Sequence, residues 1–295
     1  MKKYFLLLFL AIALISCSKG GKVTITGNLK NANPLERIEL IETSGIATLP
    51  VANFGTDAKG NFSETFEIPK NGVYLITYAG SSGFIYLKGG DKVDIKTDAV
   101  MFPTNMQITG DAKGNTEFLT ESQKYINDYL SKINQSVAAK NESDFLKELE
   151  KYKKEITAQL DKIAETKKPD SDVKKVSKEE LDVTLLRISS QYEAVHGQMT
   201  NNPNFKPSQK FLDFQKSLEN EDFVESMPTY RNYLLSKYGS DIQKFFQTTQ
   251  KGAAPNSNVE VFAKFLDTRK DITDKIKDYL LATVATQFDL QPNNP

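Results

Sequence analysis

The chain has 295 residues, with 38 basic and 38 acidic side chains and no net charge. That length is enough for two domains with real cores, and the balance offers neither a basic surplus for nucleic acid nor an acidic tail for a cationic partner. A single cysteine and a single histidine exclude an internal disulfide and a histidine-rich metal centre.

Met1-Lys2-Lys3 gives the chain a positive start, and Tyr4 to Ile15 is an apolar run. The run is about as long as a signal-peptide core and too short to span a bilayer. Small Ser16 then precedes Cys17. Leu14-Ile15-Ser16-Cys17 resembles a bacterial lipobox, because the charge, the apolar run, the small residue and the cysteine fall in that order. The resemblance implies cleavage before Cys17, with Leu14, Ile15 and Ser16 as the recognised end of the leader. It also implies acylation of the Cys17 thiol and of the new amino group. Residues 1–16 are then a signal peptide and residues 17–21 a lipidated tether. A plain secretory signal with a spare thiol is the alternative. The expected partner is a membrane, reached through lipid on Cys17; several acyl chains hold far more firmly than one, at roughly 0.8 kcal/mol per buried methylene. No later segment approaches 18 apolar residues, so no other membrane attachment is expected. Ser18 follows Cys17 where an aspartate would retain an enteric lipoprotein in the inner membrane, which points to the outer membrane, facing the periplasm.

From Lys22 the hydropathy period is two. Val23, Ile25 and Gly27 alternate with Thr24 and Thr26. Further strands are predicted at Ile38 to Glu42, Phe62 to Ile68, Val73 to Tyr78, Phe84 to Leu87, Val93 to Thr97 and Met106 to Thr109. Turn signals separate them, among them Asn33-Pro34, Asp57-Ala58-Lys59-Gly60-Asn61, Lys70-Asn71-Gly72, Gly80-Ser81-Ser82-Gly83 and Gly89-Gly90-Asp91. Seven or eight short strands at this spacing predict an antiparallel sandwich or open barrel over residues 22–112. The glycines supply positive φ in turns, and none opens a helix as a phosphate-cradling loop would. Asp57 to Asn61 lacks the alternating ligands and terminal glutamate of a calcium loop and reads as a hairpin turn.

At Asn115, a good N-cap, the period becomes 3.6. Phe118, Leu119, Ser122, Tyr125, Ile126, Tyr129, Leu130, Ile133 and Val137 form one stripe. A second helix carries Phe145, Leu149, Tyr152, Ile156, Leu160 and Ile163, with Pro169 beyond its end. A third is predicted to open on a capping box of Ser177 and Glu180. Its stripe is Leu181, Leu185, Ile188, Tyr192 and Val195, and Gly197 suits its stop. A loop with Pro203 and Pro207 leads to helical pieces at Phe211 to Leu218 and Thr229 to Tyr238, the latter started by Pro228. Asp241 to Gln250 continues after a break at Gly239, Lys251 to Ser257 is a loop, and Val259 to Phe288 is a last helical pattern. No fixed-period repeat marks a solenoid. The expected fold class is α+β with the two segregated: a β domain at 22–112, then an all-α domain at 113–295.

Chemistry is sparse. His196 falls in the last turn of a helix, where it would interact with the helix C-terminus and its free carbonyls. The acids Glu179-Glu180 and Asp170-Ser171-Asp172 read as a first helical turn and a loop, explained by capping and solvation. The runs Lys151-Tyr152-Lys153-Lys154 and Lys174-Lys175 are interleaved with acids and read as solvated helix faces. With no tryptophan and no basic–aromatic cluster, nucleic acid is not an expected partner. The Phe and Tyr stripes could line an apolar pocket, but a core is the simpler reading. No Gly-x-Ser-x-Gly elbow supports a cofactorless hydrolase. No catalytic, metal-binding or cofactor-binding residue is assigned, and no cofactor is expected.

Several pieces recur in a familiar order. They are the lipobox, Val23-Thr24-Ile25-Thr26-Gly27, Asp57-Ala58-Lys59-Gly60-Asn61-Phe62, Phe84-Ile85-Tyr86-Leu87-Lys88-Gly89-Gly90-Asp91, and Ile108-Thr109-Gly110 with Asn115 shortly after. With them the β half resembles the N-terminal domain of unknown function of periplasmic TlpA-like thiol-disulfide oxidoreductase lipoproteins. The helical half resembles their linker, notably at Met227-Pro228-Thr229-Tyr230-Arg231-Asn232-Tyr233-Leu234. In that family a thioredoxin-like domain with a Cys-x-x-Cys pair follows. No cysteine pair exists in this chain, so none of the family's redox residues carries over, and the chain as given is not expected to exchange disulfides. It reads as the front part of a longer protein or as a relative without the redox domain.

The first expectation is therefore a non-catalytic binding or scaffolding lipoprotein of the cell envelope, with a protein partner there. The alternative is the truncated front of an active thiol-disulfide oxidoreductase. A carbohydrate-binding lipoprotein is weaker, since sugar platforms usually offer tryptophan.

Overall fold

The computed structural model describes residues 19–46, 49–132, 135–202, 205–249 and 258–289. The lipobox, the proposed loop at Lys251 to Ser257, Pro203 and Ile133 lie outside the described residues. The described chain forms two compact units. The first runs to Thr43 and again from residue 49 to Thr116; the second takes residues 44–46 and everything from Glu117. Strands precede helices along the chain, so the fold is α+β and segregated.

The first unit has eight strands: β1 (Lys19–Lys30), β2 (Ile38–Glu42), β3 (Pro50–Phe54), β4 (Asn61–Lys70), β5 (Gly72–Tyr78), β6 (Ser81–Leu87), β7 (Lys92–Asp98) and β8 (Gln107–Gly110). They form two four-stranded sheets, in the orders β4-β1-β7-β8 and β3-β2-β5-β6. Val23, Ile25 and Leu29 of one sheet and Ile38, Leu40, Tyr74 and Ile76 of the other belong to a single buried cluster, which makes the unit a sandwich. The pairing is antiparallel except between β1 and β7, which run parallel with Ile25 opposite Val93. The expected antiparallel sandwich is present, with that one parallel pair inside it. Alternation records which face a residue buries; it carries no information on strand direction.

Gly27 falls where the next inward side chain of β1 would sit. A Cβ there would lie 2.1 Å from the Ile95 carbonyl oxygen and 2.5 Å from the Phe62 ring. Phe62, directly opposite in the register, fills that space instead. The expected tether is also shortened. Lys19 to Gly21 are strand, with Gly21 opposite Ile68; a Cβ on Gly20 would lie 1.8 Å from the Ile68 carbonyl oxygen, so the glycine lets the backbone approach β4. β3 is an addition to the expected set. It is an edge strand that opens on Pro50 and shows no clean alternation, so its sequence signal was weak. The predicted hairpin turn at Asp57 is present: its Oδ1 accepts from the backbone N–H of Lys59 and of Asn61, both at 2.8 Å. Hydrogen bonds from Asn61 hold the Asp57 carboxyl below its usual range.

The helices are α1 (Lys113–Leu130), α2 (Glu142–Lys167), α3 (Ser171–Met199), α4 (Gln209–Leu218), α5 (Phe223–Ser226), α6 (Pro228–Lys237), α7 (Gly239–Thr249), α8 (Asn258–Thr268) and α9 (Asp274–Val284). A 3₁₀ turn spans Gln135–Ala139 and a π turn spans Ala285–Asp289. α1 begins before the expected cap. Gly110, with φ +87°, and Asp111 turn the chain beside Lys92, so Thr116 N–H already donates to Ala112. Asn115 is thus buried in the first turn. The predicted stripe overran: α1 stops at Leu130, and Val137 belongs to the 3₁₀ turn.

α2 matches its stripe closely, with Phe145, Leu149, Tyr152, Ile156, Leu160 and Ile163 all buried. Asn141 caps it by accepting from Asp144 N–H. α3 starts two turns earlier than predicted. Lys168 adopts a left-handed φ of 53°, Pro169 follows, and Asp170 stands at the N-cap. Ser177 is therefore a buried interior residue, and the capping box with Glu180 is corrected. Gly197 does not stop α3, which continues to Met199. A Cβ at Gly197 would lie 2.7 Å from the Asn202 carbonyl oxygen, so the glycine admits the returning chain. The last apolar pattern splits in two, because Thr273 caps α9 through Ile276 N–H.

Candidate functional site

One face of α3 is built from residues at helical spacing: Thr184, Arg187, Ile188, Gln191, Tyr192, Val195 and Met199. With Leu130 of α1, Val137 and Ala138 of the 3₁₀ turn and Phe145 of α2, this face lines a cleft of about 640 Å³. That volume lies in the range of small-ligand sites, roughly 300–1,000 Å³.

The floor is aromatic and fully buried. Phe145 and Tyr192 stack with ring centroids 3.9 Å apart, and Phe211 stacks behind both. The Tyr192 hydroxyl donates to the Lys140 carbonyl, and burial pushes the phenol up to about 12. One wall is pinned by the single histidine. His196 is buried, its ring stacked on Tyr192 at 4.5 Å and tilted against Phe205 at 4.6 Å. Its Nδ1 lies 2.9 Å from the Ala138 carbonyl. A carbonyl only accepts, so Nδ1 carries the proton. The predicted place in the last turn of a helix holds, but the partner is a carbonyl 58 residues away. His196 thereby fastens the 3₁₀ turn to α3.

The rim is different. Val195 is 38% exposed and Met199 46% exposed. Arg187 lines the cleft and is exposed. Among the described residues it has no carboxylate within ion-pair distance; Glu180, two turns earlier on α3, feels its charge only at longer range. Thr184 donates to the Glu180 carbonyl at 2.8 Å. The cleft therefore offers a largely apolar lining and, among the described residues, one cation without a carboxylate at ion-pair distance.

Leu14, Ile15, Ser16 and Cys17 lie outside the described residues. The acidic pairs are not all solvated as expected. Glu179 and Glu180 lie inside α3, both half-buried, and burial raises both carboxyls. Glu180 accepts from the Thr229 hydroxyl at 3.3 Å, which offsets part of that rise. Asp170 and Asp172 begin α3 rather than lying in a loop. The lysine runs do more than face water: Lys153 reaches Asp182 at 2.6 Å, and Lys174 and Lys178 reach Asp161 at 2.9 and 3.0 Å, tying α2 to α3.

Sequence reasoning missed Arg231. It is 3% exposed, and its guanidinium donates to the carbonyls of Val224 at 2.9 Å and Gly45 at 3.1 Å. Burial lowers its pKa. Carbonyl dipoles, including those ending α5, stand in for a counter-ion. The signal was an arginine among the aromatic residues of Tyr230 to Tyr233, just after Pro228.

Among the described residues no group of three or more His, Cys, Asp or Glu side chains could hold a metal ion, and no helix is long and apolar enough to cross a membrane. No protein-family model matches the chain, and no curated protein matches it.

Proposed function

We propose that this is a lipoprotein of the bacterial cell envelope, held at a membrane by acyl chains on Cys17, and that it binds rather than catalyses. The observation that carries the reading is the ordered start of the chain: Met1-Lys2-Lys3, the apolar run to Ile15, Ser16 and Cys17. The cleft on α3 supports the binding half, since it pairs a concave apolar surface with one charged group. The outer membrane, facing the periplasm, is the proposed address.

Labelled palmitate fed to cells expressing the full chain tests the first half. Label should follow the wild-type protein into the membrane fraction and be lost from Cys17→Ala. A soluble, unlabelled wild-type product would overturn lipidation. Capture of a defined partner or ligand from envelope extract supports the second half, and turnover of a substrate by the purified chain would overturn it.

A second reading places the chain as the non-catalytic front of a thiol-disulfide oxidoreductase, on the strength of the run from Val23 to Asn115 and of Met227 to Leu234. Reading the gene beyond Pro295 decides it: a thioredoxin-like frame in register supports this reading, and an immediate stop codon removes it.

A further inference from the structure

We propose that the cleft on α3 takes a single-chain amphiphile with an anionic head, an alkyl carboxylate, its chain along Leu130, Ile188 and Val195 and its head at Arg187. This names a ligand class for the binding half of the reading above and rests on that half alone.

Three observations converge. Above the buried rings of Phe145 and Tyr192 the walls present the half-buried apolar side chains of Leu130, Val137 and Ile188, so burial of hydrocarbon is the interaction the cleft rewards. The rim residues Val195 and Met199 stay exposed, and a chain lying against them would withdraw them from water. Arg187 lines the same cleft with no ion-pair partner among the described residues, so charge complementarity favours an anion over a neutral head. The size favours a small molecule over a protein face: about 640 Å³ suits one ligand, whereas a stable protein interface covers about 800 Å² on each partner.

The two contributions differ in weight. Each methylene withdrawn from water should tighten binding about fourfold. Arg187 is exposed and screened, so its preference for an anion is worth about two- to fivefold at low salt. Chain length should therefore set the affinity, and Arg187 should select the head.

The test uses the mature chain from position 17, made without its leader and carrying Cys17→Ser, so that neither acyl chains, the apolar run from Tyr4 to Ile15 nor detergent competes. Alkyl carboxylates of increasing length, the matching alkanols and phosphatidylglycerol vesicles are titrated calorimetrically, the monomers below their micelle concentrations. Affinity is expected to rise about fourfold per carbon and then level off as the cleft fills. The carboxylate should beat its alkanol about two- to fivefold, and that margin should vanish in Arg187→Gln and in 1 M salt. Val195→Asp, on the exposed rim, should weaken carboxylates more than alkanols. Circular dichroism confirms that both variants fold. No dependence on chain length, binding of vesicles but not monomers, or an unchanged carboxylate margin in Arg187→Gln would each overturn the proposal. Palmitate labelling is read separately, so failure here leaves lipidation standing. Capture of an envelope protein without amphiphile binding would leave the wider binding reading standing.

Discussion

In the β unit every second residue of β1, β2, β5 and β7 points inward, and two sheets close over one cluster with Phe62 filling the gap left by Gly27. α3 has no such closure. Its face from Thr184 to Met199 leaves a cleft beside Leu130 of α1 and Phe145 of α2. The difference follows from geometry. A pleated sheet offers one whole face to another sheet, while a helix has a full circumference to cover and each neighbour covers about one stripe. The first unit seals its core, although Leu35, Leu49, Phe84, Val100 and Met101 stay exposed outside it. In the second, Val195 and Met199 are exposed at the wall of a cleft, and that is where binding is proposed.

The sharpest way to break this comparison is to remove the cleft floor. Phe145→Ala should cost the helical unit about 3–5 kcal/mol, the usual range for a buried phenylalanine. Urea unfolding followed by helical circular dichroism measures it. If the strand signal falls in parallel, the two units do not differ as described. Next comes the buried cation. Arg231→Met leaves the Val224 and Gly45 carbonyls without their donor and should cost about 3 kcal/mol, while Arg231→Lys keeps a charge but not the fork and should recover part of it. A neutral result for Arg231→Met would mean that the carbonyls find water instead. In the sealed unit, Gly27→Ala drives a methyl into the Ile95 carbonyl and the Phe62 ring and should cost about 1–3 kcal/mol. Thermal unfolding of the strand signal reads it, and an unshifted midpoint would show that the sheet gives way freely there.

The smallest effect is electrostatic. Hydrogen bonds from Arg269 hold the Asp271 carboxyl at about 2, against an ordinary 3.8. Its contribution is present above the ordinary value and is lost as the pH falls through about 2. Asp271 is exposed and Arg269 half-buried, so the slope is shallow. Asp271→Asn should flatten helical stability between about pH 4 and 2 and leave the β unit's acid profile alone. An unchanged helical profile would assign the acid slope to other carboxylates.

Much of the organisation was legible along the chain. The change of period near Asn115 separates strands from helices, the α2 stripe from Phe145 to Ile163 is legible in full, and Asp57 to Asn61 reads as a hairpin turn, to which the structure adds the Asp57 side chain as acceptor. The misses share one cause. Ser177 with Glu180 has the pattern of a cap, but the left-handed Lys168 and Pro169 start α3 earlier, and burial takes Ser177 inside. Gly197 looks like a stop, but its lack of a side chain serves the chain returning at Asn202. A local motif competes with packing, and packing wins when it buries more.

The Phe and Tyr stripes read as core, and Phe145 and Tyr192, which close the bottom of the cleft, are buried as core residues. Arg187 carried no signal at all, since one exposed arginine on a helix is ordinary.

By itself the sequence determined what neighbours within a few residues decide: the segregation of strands from helices, the inward face of each, the turns, and the lipobox-like start that no fold is needed to read. Tertiary structure alone decided the parallel register of β1 with β7, the partner of His196 on Ala138, the carbonyls around Arg231 and the cleft beside Arg187. Periodicity reports which face of a segment leaves water. Which segment arrives to cover it depends on contacts tens of residues apart, and those are fixed only when the competing faces are packed together.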